Sequence, residues 1–441
     1  MIDQASTSLA ERSCDHHCAN RIIYQWLDRE GIKAKVVFNN PEYQVGYINL
    51  YDHKDRLIIG GGGKGDTYLL SALAEAMEHY HLLKHSLQDK TKTGHNFQYI
   101  STQDIYKQES LKKCGIMRSL KDYPSQKLAA YDYYEFAKHT SYTAFIPALF
   151  TNPLFLTHSK DNASQSLYNE SSQSNFNEAE SFLCRYAYST GTSFGITLED
   201  ALLHCLNENI ERHYLSCYYL HLINQKTSIR FQEIPLNNLK SQLHHKANFV
   251  DFMDNNYRWK VIVASNPAMA DLKFCLVVGS PLKQEASTAS LSFSNIGVGL
   301  SLYGDIALHR AIGEFCQSHF LKNAQQTKKD LDIAQFLSKS ALHPLIDLSR
   351  KQLPQTPLAD FIKPSKQAIK PLFNNQSYLR PHQQLSLISE LLYQSGYKVL
   401  YHLLSKPYDP FIVASLIVPG LERFHLIREG IIVAPQASLN T

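Results

Sequence analysis

No stretch of this 441-residue chain is apolar enough to cross a bilayer as a helix. The most apolar run, Phe411 to Leu421, has about 11 residues, against the roughly 20 that a span requires. The first residues, Met-Ile-Asp-Gln-Ala-Ser, lack the basic-then-apolar order of a signal peptide. Neither sign of charge dominates. With 44 Lys and Arg against 40 Asp and Glu, the net charge of +4 gives no basis for nucleic-acid or membrane binding. Cysteine is sparse, at positions 14, 18, 114, 184, 205, 217, 275 and 316. Several fall inside helical patterns, which suits buried thiols of a reducing cytoplasm rather than a disulfide framework. The Asn-x-Ser matches at Asn162, Asn169 and Asn375 are then chance sequons. There is no Gly-x-Ser-x-Gly elbow, so a Ser-His-Asp hydrolase has no support.

What is present is an ordinary globular composition, 44% apolar and 19% charged. It supports a core and excludes global disorder. The length allows one large interwoven domain or two to three ordinary ones. Residues 19–29 have helical apolar spacing, with Gly31 as the stop. Strand-like runs follow at Lys35 to Phe38, Gln44 to Tyr51 and Arg56 to Ile59. The last leads into a glycine loop, Gly60 to Gly65, and a helix over about Thr67 to Lys84. The order recurs. Tyr186 to Thr190 precedes Gly191, Gly195 and a helix from Leu198 to Ile223. Ala289 to Ile296 precedes Gly297, Gly299 and a helix from Ile306 to Asn323. This weak internal repeat predicts an α+β core, with three helices meeting near the glycines. Residues 158–180 read as a polar surface loop, 324–390 as a peripheral helical insertion, and Lys398 to Val418 as strands.

Each of those three helices carries two acidic or amide side chains three residues apart: Glu75 and Glu78, Glu208 and Glu211, Glu314 and Gln317. Residues i and i+3 share a helix face, where two carboxylates repel by roughly 0.2–0.5 kcal/mol unless a cation or proton intervenes. One such pair is ordinary on a solvated face. Three, all in apolar sequence, point to one site lined with oxygens. Hard oxygen ligands suit Mg²⁺, which usually arrives with phosphate. Glu199 and Asp200 add charge near the second pair, and Arg212 can neutralise a carboxylate or contact phosphate. The Gly63-Lys64 pair is not a Walker loop, because Ile58 and Gly65 stand where that motif needs Gly and Ser or Thr. The glycine run either brings backbone N–H groups to an anion or makes a tight turn. The Cys14-Asp-His-His-Cys18 cluster lacks zinc-like spacing, and packing explains it.

Taken in order, the motifs resemble those of the YcaO proteins. Gly63-Lys64-Gly65 with Ser71, Glu75 and Glu78 is similar to the first signature. Ser193 to Ala201 with Glu208, Glu211 and Arg212 is similar to the second, and Arg310 with Glu314 and Gln317 to the third. Val418-Pro-Gly-Leu-Glu422 resembles the C-terminal strand motif. The resemblance implies a core of mixed sheets with the three helices converging on a Mg-ATP site. Lys64, Ser71, Glu75, Glu78, Ser193, Arg212, Arg310, Glu314 and Gln317 would bind the nucleotide. Glu75, Glu78, Asp200, Glu208, Glu211 and Glu314 would bind Mg²⁺. Three positions depart from the family pattern: His79 stands for an Arg, Ile196 for an Asn and Asp200 for a Glu.

The resemblance also implies activation of a peptide backbone amide, its oxygen phosphorylated so that it can leave, giving an azoline, a thioamide or an amidine. Mg²⁺ held by carboxylates would neutralise the charge that develops. The expected division is an N-terminal α/β part over 1–59, an ATP-binding core over 60–323, the insertion over 324–390, and strands completing the core over 391–441. The segment before Ile59 is short for a peptide-recognition domain, and the last residues are not proline-rich. The expectation is therefore either a separate partner, E1-like, TfuA-like or another peptide-recognition protein, that presents the peptide or protein substrate, or a member that forms no azoline. A homodimer is compatible with the resemblance. Two further readings compete. One is a non-catalytic nucleotide-binding accessory protein that supports modification of a ribosomal or other protein. The other is an unrelated oxygen-ligand metalloprotein.

Overall fold

The computed structural model describes residues 11–88, 97–136, 143–155, 176–243, 246–269, 271–282, 293–350, 353 and 378–439. Its helices of ten residues or more are α1 (His16–Glu30), α2 (Tyr68–Gln88), α3 (Leu198–Leu222), α4 (Ala247–Asn256), α5 (Gly304–Phe320), α6 (Ala324–Ser338) and α7 (Pro381–Gln394). Helix α1 begins where Asp15 accepts the Cys18 N–H at 2.8 Å and ends at Gly31, which takes the left-handed φ of +69°. Its apolar face, Ile23, Trp26 and Leu27, is buried against α2. Each such side chain contributes roughly 1.5–3 kcal/mol on burial.

Three sheets organise the rest, and every strand pair among the described residues is antiparallel where mixed sheets were expected. β1 (Lys33–Asn40), β2 (Val45–Tyr51) and β3 (Leu57–Lys64) form the first. The second runs β11-β10-β9-β8, from β8 (Arg230–Ile234), β9 (Tyr257–Ser265), β10 (Lys273–Pro281) and β11 (Asn295–Ser301). The third runs β4-β5-β12-β13-β7, with β6 also paired to β5. Its strands are β4 (Gln98–Ser101), β5 (Lys127–Glu135), β6 (Thr143–Pro147), β7 (Thr192–Gly195), β12 (Leu400–Leu403) and β13 (Ile412–Ile417). The C-terminal strands therefore sit inside this sheet, Ala414 opposite Ser193 and Tyr401 opposite Tyr134.

The glycine run is not a loop. Gly60 to Gly63 lie inside β3, with Ile48 opposite Gly61, and only Gly65, at φ +80°, turns the chain into α2. The reason is helix-on-sheet contact. A Cβ on Gly61 would lie 2.3 Å from the Ala76 backbone nitrogen of α2. On β11, a Cβ on Gly297 would lie 2.1 Å from the Ala311 carbonyl oxygen of α5. Removing side chains from the strand lets each helix backbone descend onto the sheet.

Other expectations shift at their edges. The strand expected over Tyr186 to Thr190 is not formed: those residues are irregular, Arg423 donates to the Tyr186 carbonyl at 2.7 Å, and the strand before α3 is β7. Of the strand read from Ala289 to Ile296, residues 289–292 lie outside the described residues, and β11 starts at Asn295. Of the polar loop 158–180, residues 158–175 lie outside them too. Its end is helical, with Asn177 and Glu180 forming a reciprocal cap on Glu178–Cys184. β3 crosses the 59/60 boundary, so that cut falls within a strand. Of the peripheral insertion expected over 324–390, residues 351–352 and 354–377 lie outside the described residues, and α6 and α7 place Ile333, Leu337, Leu385 and Ile388 in the largest core cluster. Among the described residues no helix is long and apolar enough to cross a membrane.

Candidate functional site

Helix α3 is buried along most of its length, so Glu208 and Glu211 cannot belong to a solvated face. They open instead into a cavity of about 370 Å³ that α2, α3 and α5 line together. Lys64, Ser71, Glu75 and Glu78 come from β3 and α2, Glu208, Glu211 and Arg212 from α3, and Arg310, Glu314 and Gln317 from α5. The three pairs read from spacing thus meet in one space.

Two predicted residues stay behind its wall. Ser193, 1% exposed, reaches Glu78 at 3.4 Å and supports it from the β7 side. Asp200 is buried at the start of α3, where it reciprocates the Thr197 cap and accepts the Ser13 hydroxyl at 2.7 Å. Capping the helix and holding the N-terminal segment explain it without a metal. Of the positions that depart from the family pattern, His79 lines the cavity and bonds the Gly60 carbonyl at 2.8 Å, whereas Ile196 packs beside the core cluster of α1 and α2.

Carboxylates on the two sides differ electrostatically. Burial raises Glu78 well above the usual carboxylate range, and Glu75 and Glu208 add to the rise, against a 2.8 Å bond from the Phe194 N–H. Burial also raises Glu208, which accepts the Gly191 N–H at 2.9 Å, and lifts Glu211 to about 7 despite the nearby Arg212. Glu314 behaves oppositely. Burial works against its charge, but Lys64 at 3.2 Å and Arg212 at 3.1 Å outweigh it and hold the group below the usual range.

Among the neighbours that sequence reasoning missed, four are charged or titratable. Arg12, Tyr188 and His204 line the cavity. Glu11 lies beside it, paired with Arg310 and bonded to the Ser301 hydroxyl at 2.6 Å. His204 had a signal, because it stands four residues before Glu208 on the same helix face. Glu11 and Arg12 had none, being local neighbours of nothing else in the site. Burial, then Arg310, holds His204 well below the usual histidine range.

The donor set fits a magnesium–phosphate group. Among the described residues no three His, Cys, Asp or Glu side chains form a ready metal cage. Mg²⁺ rarely uses one, since it is bound through one or two carboxylates, waters and the phosphates themselves. Glu78 and Glu208, which make no ion pair among the described residues, and Glu211, paired with Arg212 at 3.7 Å, supply the first of these. The buried Arg212 Nε has no partner among the described residues, which leaves an N–H free for an anionic oxygen. The cavity volume lies within the roughly 300–1,000 Å³ common for small-molecule sites.

Comparisons with known proteins agree. A family model described as "YcaO cyclodehydratase, ATP-ad Mg2+-binding" matches residues 62–422. No curated protein matches the sequence. Among solved structures, a heterocyclase in complex with substrate and cofactor has TM-score 0.54 at 15% identity, over 94% of this chain and 56% of that one. This chain therefore spans little more than half of that protein's length. YcaO from Methanopyrus kandleri, bound with AMPPCP and Mg²⁺, has TM-score 0.53 at 14% identity, over 96% and 95%. A chain of the E. coli microcin synthetase McbBCD complex has TM-score 0.50 at 12% identity, over 88% and 87%. At these identities the likeness is one of fold.

Proposed function

The chain belongs to the YcaO family, and on that footing we propose that it uses ATP and Mg²⁺ to activate backbone amides of a peptide or protein substrate. One observation carries the reading: the motif residues of three helices, far apart in sequence, line a single cavity that gathers crowded carboxylates and the cations Lys64, Arg212 and Arg310. Glu75, Glu78, Glu208 and Glu211 would hold Mg²⁺, and Lys64, Ser71, Arg212, Arg310 and Gln317 would hold the triphosphate. When bound, ATP would supply the phosphoryl group that makes an amide oxygen able to leave. The residues' own part is to orient and to exclude water. Lys64 and Arg212 are fixed by Glu314 before any ligand arrives, so little reorganisation is needed.

Azoline formation is the leading chemistry, and thioamide formation is the finer alternative. Substrate capture is assigned to a separate partner protein in a cytoplasmic setting, which suits the eight free cysteines. Such a partner would raise the effective concentration of the peptide at the site. Calorimetry should show ATP binding that requires Mg²⁺, and no heat under either condition would remove the nucleotide reading. Co-expression with short peptides and neighbouring proteins, read by mass spectrometry, separates the chemistries. Loss of one water per site means azoline, and exchange of an oxygen for sulfur means thioamide. Efficient modification by this chain alone would reject the partner. One observation favours a non-catalytic nucleotide-binding role: Glu11 already neutralises Arg310, a cation assigned to the nucleotide. ATP binding with no turnover, whatever substrate and partner are supplied, would favour it.

A further inference from the structure

Much of Arg310 is committed within the protein. Its Nη1 donates to the Leu300 carbonyl at 2.9 Å, and its Nη2 meets both the Glu11 carboxylate and, at 3.3 Å, the Nδ1 of His204. The last contact fixes a proton. A guanidinium has only N–H donors, so Nδ1 receives that bond with its lone pair. The ring proton is therefore on Nε2, and a second proton at Nδ1 is barred. Burial, then Arg310, Arg12 and Lys64, disfavours the charged ring as well. His204 lines the cavity as a neutral ring with one N–H to give, and among the described residues no protein group takes it. His204, Glu208 and Glu211 follow one another at i, i+4 and i+7 of α3, a single stripe of the helix that borders the cavity.

We propose that His204 is a further nucleotide-binding residue, its Nε2–H donating to a phosphate oxygen of the bound triphosphate while Arg310 holds the ring in that tautomer. The inference rests on the nucleotide reading given above. The tautomer decides what the ring can do. With the Nδ1 lone pair taken by Arg310 and a proton on Nε2, His204 has no free lone pair to ligate a metal or to act as a general base. It can only serve an acceptor. An anionic oxygen suits it best, because a donor polarised from behind by a guanidinium gains most from a charged acceptor. Phosphate is the acceptor nearest to hand. Glu208, assigned to Mg²⁺, stands one helical turn away, roughly 5.4 Å along the axis, and Mg²⁺ bridges phosphate oxygens in such sites. Arg310 acts here through His204 as a positioning residue, with its own charge met by Glu11.

The test is calorimetry of the full chain with Mg-AMPPCP and, separately, with adenosine, on wild type, His204→Asn and His204→Gln. Asn keeps an acceptor near Nδ1 for Arg310 and removes the distal N–H, whereas Gln can extend an amide N–H to where Nε2 stood. His204→Asn should weaken Mg-AMPPCP binding by roughly tenfold or more and leave adenosine unchanged, and His204→Gln should recover most of the loss. Nitrogen-15 NMR of the wild-type ring, assigned by the signal that both variants lose, should show the proton on Nε2 before and after nucleotide, with the Nε2–H resonance moving downfield on binding. Equal Mg-AMPPCP affinity in wild type and His204→Asn, an equal loss for adenosine, the same loss in both variants, or a ring proton on Nδ1 overturns the proposal and leaves the nucleotide reading standing. A folded wild type that binds no Mg-AMPPCP removes that reading, and this donor with it.

Discussion

The two sides of the cavity use the same residue type to opposite ends. On the α2 and α3 side, Glu78, Glu208 and Glu211 are crowded, desolvated and shifted towards the protonated form. On the α5 side, Glu314 lies between Lys64 and Arg212 and stays charged. The difference is one of partners, because burial opposes the charge of all four. Among the described residues Glu78 and Glu208 make no ion pair and Glu211 shares Arg212 at 3.7 Å, and carboxylates so crowded gain most from binding a further cation. A carboxylate already paired with two cations gains little from a third and serves instead to hold those cations in place. The α2–α3 side is thus suited to metal and the α5 side to orienting phosphate-binding groups.

The strongest test of that contrast removes charge from the metal side. Glu78→Gln and Glu211→Gln should each lower ATP turnover by about 10²-fold or more, about 2.7 kcal/mol of barrier, with the fold retained. Phosphate release measures it, and wild-type turnover in both would dissolve the assignment. Glu314→Gln should cost less, about tenfold, mostly through KM, since it loosens Lys64 and Arg212 without removing a metal ligand. A loss equal to that of Glu211→Gln would put Glu314 on the metal side, as its motif position implied.

The smallest effect is on pH dependence. Glu211 is raised from 4.5 in the unfolded chain to about 7 when folded, so the folded protein binds the extra proton. Its contribution to stability is complete below about 4.5 and is lost as pH rises through about 7. Without Mg²⁺, Tm should fall over that window more steeply in wild type than in Glu211→Gln. Mg²⁺ competes with the proton, so its stabilisation should grow as pH rises. Equal slopes in the two proteins would leave Glu211 without this role.

Much of the site was legible because its parts are local. Spacings of three within α2, α3 and α5 announce a shared face, and apolar residues around Glu208 and Glu211 announce that the face is buried. The start and stop of α1 follow from Asp15 and Gly31. The resemblance carried by these motifs named the family before any distance was known. The glycines misled, since a run such as Gly60 to Gly63 reads as a loop until a helix is seen lying on it.

Sequence alone determined the α+β class, the identity of the three helices and the chemical character of the side chains they carry. Tertiary structure decided which charges meet. Glu314 finds Lys64 and Arg212, Arg310 finds Glu11, and Asp200 turns to Ser13 and its own helix cap rather than to the cavity. Helical periodicity fixes neighbours only within a turn or so along the chain. The partners of a buried charge come from whichever elements pack against it, and they set whether that charge is free to bind a cation or is already spent on one.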